Sequence, residues 1–214
     1  MLSDEVWNEL RHQGTARAFR ARSVMLRQGT AGTYLLALTE GLAKVIRREP
    51  EGIVTWLAFR GPGELLGEVS VFHGTPRTAD VVALTPCTAV VLEADRFRRF
   101  VEERGLIMDL MRQALSRLRE SDTHRSELLT LPLVVRLARA LVRLIELNTH
   151  GTKSDAVRLT GLSQEELAQA IGVTRNAVIT GLQQLRQAGA VETARRVIVV
   201  KDLRALRHWA EGAL

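Results

Sequence analysis

The stretch Leu162-Ser-Gln-Glu-Glu-Leu-Ala-Gln-Ala-Ile-Gly-Val-Thr-Arg-Asn-Ala-Val-Ile-Thr-Gly-Leu-Gln-Gln-Leu-Arg-Gln-Ala-Gly189 decides how this chain is read. Ser163 and Glu166 stand in the S-x-x-E arrangement, in which two reciprocal hydrogen bonds cap the start of a helix. Leu167, Ala168 and Ile171 recur at helical spacing, and Gly172 supplies the left-handed turn that ends the helix. Thr174 caps a second helix. Its Val178, Leu182 and Leu185 share one face, which turns Arg175, Asn176, Ile179, Thr180 and Gln183 away from the core. Two short capped helices joined by a glycine turn predict a helix-turn-helix. The outward residues are then candidate base readers, because Arg makes paired hydrogen bonds to guanine and Asn to adenine. Ser163 and Thr174, at the two helix starts, join them as DNA-binding candidates. After Gly189, Val191 and the run Val197-Ile-Val-Val200 flank Ala194-Arg195-Arg196. This resembles the two-stranded wing of a winged helix, with Arg195 and Arg196 placed to touch phosphate. A helical hairpin with an ordinary solvated face is the alternative.

Charge agrees with a polyanionic partner without naming one. The 214 residues carry a formal net charge of +6, and the excess rises along the chain, from +1 over residues 1–105 to +2 over 106–150 and +3 over 151–214. One cysteine, Cys87, rules out an internal disulfide and makes an iron–sulfur or Cys-rich zinc site an unexpected feature. The five histidines, His12, His73, His124, His150 and His208, lie far apart, so no metal site is expected. No apolar run approaches the roughly 18 residues of a membrane span, and Asp4, Glu5 and Glu9 do not suit a signal peptide. A cytoplasmic location without membrane contact is the expectation.

Upstream, from about Phe19 to Leu92, short β-prone runs alternate with Gly and Pro turns: 23–26, 33–37, 41–46, 53–59, 80–83 and 88–92. Many short strands at regular turn spacing predict an antiparallel barrel or double-sheet roll. Residues 4–11 and 94–104 read as flanking helices. From Leu106 to about Leu131 runs a long helical segment without internal Gly or Pro. Ile107, Ala114, Ser121 and Leu128 fall in one heptad line; Leu110 or Met111, Leu118 and Arg125 fall in the other. Such a seam suits pairing with a second copy, although Ser121, Asp122 and Arg125 make its middle polar. A helix packed only on its own domain is the alternative. Pro132 breaks this helix, and 134–147 forms the first helix of the next domain. The fold class is therefore α+β, divided into a jelly-roll-like β-roll at 1–105, a dimerisation helix at 106–131 and a winged helix-turn-helix at 132–214.

Within the β-rich part sits Gly63-Glu64-Leu65-Leu66-Gly67-Glu68-Val69-Ser70, followed by Gly74-Thr75-Pro76-Arg77-Thr78-Ala79. With these residues the chain resembles, over essentially its whole length and in the same order of parts, the CRP/FNR family of bacterial transcription regulators. The resemblance implies a cyclic-nucleotide-binding roll. Glu68 would accept from the ribose 2′-hydroxyl, backbone N–H groups from Gly67 through Val69 to Ser70 would approach the ligand, and Arg77 would pair with the cyclic phosphate. Thr78 suits cyclic AMP or cyclic GMP, with cyclic AMP favoured. Family members that bind cyclic AMP contact the base from polar residues midway along the dimer helix, and the matching positions here are Ser121 and Asp122. Asp122 departs from the hydroxyl or amide usual there, which leaves the base open. Without a ligand, Glu68 and Arg77 would have to pair with each other, since unpaired buried charges are costly.

These readings imply a homodimeric, ligand-controlled regulator that binds a near-palindromic double-stranded DNA site and meets RNA polymerase. Asn176 and Thr180 replace acidic and basic residues common in the best-known members, so the preferred site should differ from theirs. Two other readings stay open: a constitutive DNA-binding dimer with a vestigial or differently liganded pocket, and a regulatory subunit of an enzyme. No nucleophile–base constellation or P-loop occurs, so the chain itself is not expected to be an enzyme.

Overall fold

The structure is a computed structural model and describes residues 2–148 and 157–212; His150 lies outside them. The chain forms two compact units, Met1–Ser121 and Asp122–Leu214.

The first unit opens with α1 (Asp4–His12), whose start is capped by Ser3. The strands β1 (Thr15–Phe19), β2 (Val24–Leu26), β3 (Tyr34–Glu40), β4 (Ala43–Arg48) and β5 (Val54–Arg60) follow. Next come β6 (Glu64–Leu66), the short helix α2 (Glu68–His73), β7 (Asp80–Ala83), β8 (Cys87–Glu93) and α3 (Ala94–Glu103). Two four-stranded antiparallel sheets result, ordered β1-β8-β3-β6 and β2-β7-β4-β5. Side chains alternate across a strand, so β3 serves two cores at once. Leu35 and Ala37 pack with Leu10, Val71, Phe97 and Val101 beneath the helices. Leu36 and Leu38 pack with Leu26, Val81 and Cys87 between the sheets. The uninterrupted apolar run in β3 follows from burial on both faces.

The helix α4 (Ile107–Thr130) begins in the first unit and ends in the second. Leu106 is buried and Leu110 packs on the helix-side core of the roll, so of the pair Leu110 or Met111 only Met111 is left outside. Its exposed large apolar residues are Ile107, Met108, Met111, Leu115, Leu118 and, near its end, Leu129, and the series 108, 111, 115, 118 has heptad spacing. Met108 and Leu115 were not part of the seam read from sequence.

The second unit is built around α5 (Leu133–Asn148), which buries Val134, Val135, Leu137, Ala138, Leu141, Leu144 and Ile145. Around it stand β9 (Val157–Thr160), α6 (Gln164–Ile171), α7 (Arg175–Gln187), β10 (Val191–Ala194), β11 (Val197–Val200) and α8 (Leu203–Glu211). The sheet is ordered β10-β11-β9, so the expected two-stranded wing has a third strand, with Ile198 opposite Leu159. The end of α4 is bound tightly into this unit. Buried Glu127 accepts from Arg143 Nη2 at 2.6 Å and Arg139 Nη1 at 3.0 Å, while Arg136 Nη1 donates to the carbonyls of Leu128 and Ile171.

Candidate ligand cavity and nucleic-acid interface

A cavity of about 200 Å³ opens in the roll between the β6–α2 corner, Arg77–Ala79 and α4. Gly67 makes the corner. Its φ of 85° lies in the left-handed region, and a Cβ there would collide with Arg77 Nη1. Behind it α2 starts, and the first-turn amides of Glu68, Val69 and Ser70 have no intrahelical acceptor. Gly67, Glu68, Val69, Ser70, Arg77 and Thr78 all line this one cavity, so the structure brings together every roll residue singled out from the sequence.

Arg77 is 4 % exposed. Its Nη2 donates to Tyr34 O at 2.6 Å, its Nη1 lies 3.5 Å from Gly67 O, and the guanidinium sits 4.8 Å from the Tyr34 ring centroid. Its Nε is buried with no hydrogen-bond partner among the described residues. Burial lowers its pKa from the ordinary guanidinium value, with Tyr34 and Glu68 opposing the shift. A buried cation with an unsatisfied N–H and no carboxylate in contact is a built receptor for an anion.

Glu68 does not pair with Arg77, contrary to the ligand-free arrangement considered from the sequence. Its carboxylate is held by Arg117 Nη1 from α4. Arg117 also donates through Nη2 to Leu65 O at 2.7 Å and approaches Glu64 at 3.4 Å. Arg60, at the end of β5, approaches Glu64 at 3.5 Å and reaches Glu120 at 3.1 Å. Both Arg60 and Arg117 line the cavity, and sequence reasoning missed both. Ser121 is exposed and outside the lining; Asp122 is exposed too. Among the described residues the α4 residue in the wall is Arg117, one turn before Ser121 and outside both heptad lines, so the spacing carried no signal for it.

In the second unit the local grammar appears as hydrogen bonds. Ser163 Oγ accepts from Glu166 N at 3.1 Å and the Glu166 carboxylate accepts from Ser163 N at 2.9 Å, which closes the capping box. Ser163 is therefore committed to its cap. Gly172 ends α6 with φ 64° and ψ 45°. Thr174 caps α7 through Ala177 N at 3.3 Å. Val178, Leu182 and Leu185 are buried, while Arg175, Asn176, Thr180 and Gln183 are exposed and Ile179 is half-buried. Arg195 and Arg196 form the exposed turn between β10 and β11. Ser163, Arg175, Arg195 and Arg196 line one concavity of about 250 Å³. Wing and helix start thus meet on one surface rich in cations. Among the described residues no group of His, Cys, Asp or Glu is placed to hold a metal, and no helix is long and apolar enough to cross a membrane.

Comparison with known proteins gives both parts a counterpart. Residues 16–104 match the cyclic nucleotide-binding domain family and residues 135–209 the Crp-like helix-turn-helix domain family. The CRP-like cAMP-activated global transcriptional regulator of Mycobacterium tuberculosis is 30 % identical over 186 residues, 86 % of this chain and 82 % of that protein. The transcriptional regulator LdrP of Thermus thermophilus is 29 % identical over 198 residues, 92 % of this chain and 98 % of that protein. The crystal structure of a CRP/FNR-family transcriptional regulator, also from Thermus thermophilus, superposes with a TM-score of 0.75 at 27 % identity, covering 92 % and 98 % of the two chains.

Proposed function

From the premise that this chain belongs to the CRP/FNR family of transcriptional regulators, we propose that it is a homodimer whose affinity for DNA is set by a cyclic nucleotide bound in the roll. The observation that carries this reading is Arg77: a buried guanidinium with an unpartnered Nε, in a cavity whose next side chain is a carboxylate. A cyclic phosphate supplies the missing acceptor to Arg77, and the first-turn amides of Glu68, Val69 and Ser70 add donors. Glu68 accepts from the ribose 2′-hydroxyl, and Thr78 is placed beside them. Cyclic AMP is the ligand named for the Mycobacterium relative; cyclic GMP is the second candidate.

Arg117 links the ligand to the rest of the molecule. It is the α4 side chain that grips Glu68, so a hydroxyl arriving at Glu68 competes for the group that anchors α4. In the proposed division, residues 1–105 bind the ligand, 106–131 pair the two copies and 132–214 bind DNA. The exposed series Met108, Met111, Leu115, Leu118 forms the seam, and Asp122, four residues on, continues its line. Ser121 and Asp122 would reach a base only from a second copy's helix. A two-fold dimer sets the two α7 helices about 34 Å apart, one turn of DNA, over a near-palindrome. Arg175 reads guanine, Asn176 adenine, Thr180 and Gln183 flank them, and Arg195 and Arg196 take phosphates. A regulator so placed on a promoter meets RNA polymerase.

Selection of binding sites from random duplexes, followed by anisotropy titration of the selected site with and without each nucleotide, tests the reading. A near-palindrome bound about 5- to 150-fold more tightly with nucleotide is expected, the range of ordinary allosteric coupling. Equal affinity in both conditions would make the protein a constitutive regulator. Absence of any selected duplex would remove the DNA-binding assignment.

A further inference from the structure

The order of groups along the cavity assigns a role to Arg60, given that the cavity takes a cyclic nucleotide. Contacts form a chain beside the cavity. Arg77 touches Gly67; Glu68 follows Gly67 and is held by Arg117; Arg117 approaches Glu64; and Glu64 approaches Arg60. A cyclic nucleotide has the same linear order of phosphate, ribose and base. With phosphate at Arg77 and ribose at Glu68, the base falls toward Arg117 and Arg60.

Within one copy, the donor and acceptor inventory at that end is one-sided. Arg60 and Arg117 can only donate, and Glu68, the one carboxylate in the lining among the described residues, serves the ribose. Arg60 is fixed in place: its side chain is 11 % exposed, Nη1 donates to Phe59 O at 2.6 Å and to Glu120 at 3.1 Å, and Nε lies 3.5 Å from Glu64. Its Nη2, with two N–H groups, has no partner among the described residues. A purine edge that suits a wall of donors presents acceptors side by side. Guanine does so with O6 and N7; adenine presents the N7 acceptor beside the N6 amine, a donor.

We infer that Arg60 is the specificity-determining residue of the cavity and that it selects a guanine base, so that cyclic GMP binds more tightly than cyclic AMP. This departs from the ligand in the name of the Mycobacterium relative and rests on the nucleotide reading of the site. Glu64 and Glu120 act as positioning residues that hold the guanidinium toward the base.

Calorimetric titration of the full chain with cyclic GMP, cyclic AMP and cyclic IMP tests it. Cyclic IMP keeps O6 and N7 and lacks the 2-amino group, so it isolates the edge that Arg60 contacts. Cyclic GMP and cyclic IMP are both expected to bind at least about 5-fold more tightly than cyclic AMP, the lower end of the discrimination carried by a two-bond arginine–guanine pair. In Arg60→Met this preference collapses to within about threefold. Cyclic AMP binding as tightly as cyclic GMP or more so, or a preference unchanged in Arg60→Met, overturns the role of Arg60 and leaves the nucleotide site standing. Cyclic GMP alone binding tightly, with cyclic IMP no better than cyclic AMP, assigns selectivity to the 2-amino group and likewise overturns it. No heat with any of the three removes the nucleotide site itself. Because the wild-type comparison needs no substitution, the inference is tested even if Arg60→Met does not fold.

Discussion

Replacing Arg77 with methionine separates what the guanidinium does for the fold from what it does for a ligand. In the wild-type protein its favourable contacts are one short hydrogen bond to Tyr34 O, a marginal one to Gly67 O and the Tyr34 ring. A hydrogen bond from a charged donor contributes about 1.5–3 kcal/mol, and a desolvated cation–ring contact about 1–2 kcal/mol. Against these stands the cost of an ion 4 % exposed without a carboxylate partner, several kcal/mol, and of an unsatisfied Nε, about 1–3 kcal/mol. The two sides nearly cancel, and methionine fills a similar volume, so Arg77→Met should shift unfolding free energy by less than about 2 kcal/mol. Binding has no such cancellation. Removing one member of a buried charge pair with phosphate costs about 2–5 kcal/mol, or roughly 30-fold to several thousand-fold in Kd. Urea denaturation followed by circular dichroism gives the first quantity and nucleotide calorimetry the second. A loss of more than about 3 kcal/mol in stability together with unchanged nucleotide affinity would refute the reasoning and make Arg77 a structural residue.

Leu118, 58 % exposed, should carry the dimer seam: Leu118→Glu removes burial worth about 1.5–3 kcal/mol per copy. Sedimentation should then show at least a hundredfold weaker self-association, and an unchanged weight would place the interface elsewhere. Cys87 gives an alkaline signature, since burial raises its thiol from 9.0 to about 11. The fold favours the protonated form, so stability is intact below about pH 9 and falls as pH rises to about 11, by roughly 3 kcal/mol at 1.4 kcal/mol per pH unit. Cys87→Ala should lack that decline, and parallel pH–stability curves would contradict the assignment. At Gly181 a Cβ would stand 2.7 Å from Leu133 Cδ2 and 2.9 Å from Leu137 Cδ2. Gly181→Ala should therefore destabilise the DNA-binding unit, because overpacking of about 1–3 kcal/mol outweighs a helix-propensity gain of about 1 kcal/mol; a raised melting temperature would show that α5 and α7 part easily.

The amino-acid sequence alone determined the elements whose signals are local. The Ser163–Glu166 box, the Thr174 cap and the Gly172 turn each close within three or four residues, so the helix-turn-helix was legible before any tertiary contact was known. Gly and Pro punctuation likewise placed β2–β5, β7 and β8, and the family pattern placed Glu68 and Arg77 in one cavity. Elements that depend on remote partners were not legible. β1 is nearly all exposed and exists by pairing Thr15 with Val91, and β9, by pairing Leu159 with Ile198, turns the two-stranded wing into a three-stranded sheet. The ligand wall shows the same division. That Glu68 is held by Arg117 across 49 residues, that Arg60 stands at the base end, and that Glu127 is buried between two arginines of α5 follow from how chain segments pack. A charged side chain's partner is fixed by which surfaces exclude water together, and that is decided only when distant segments meet.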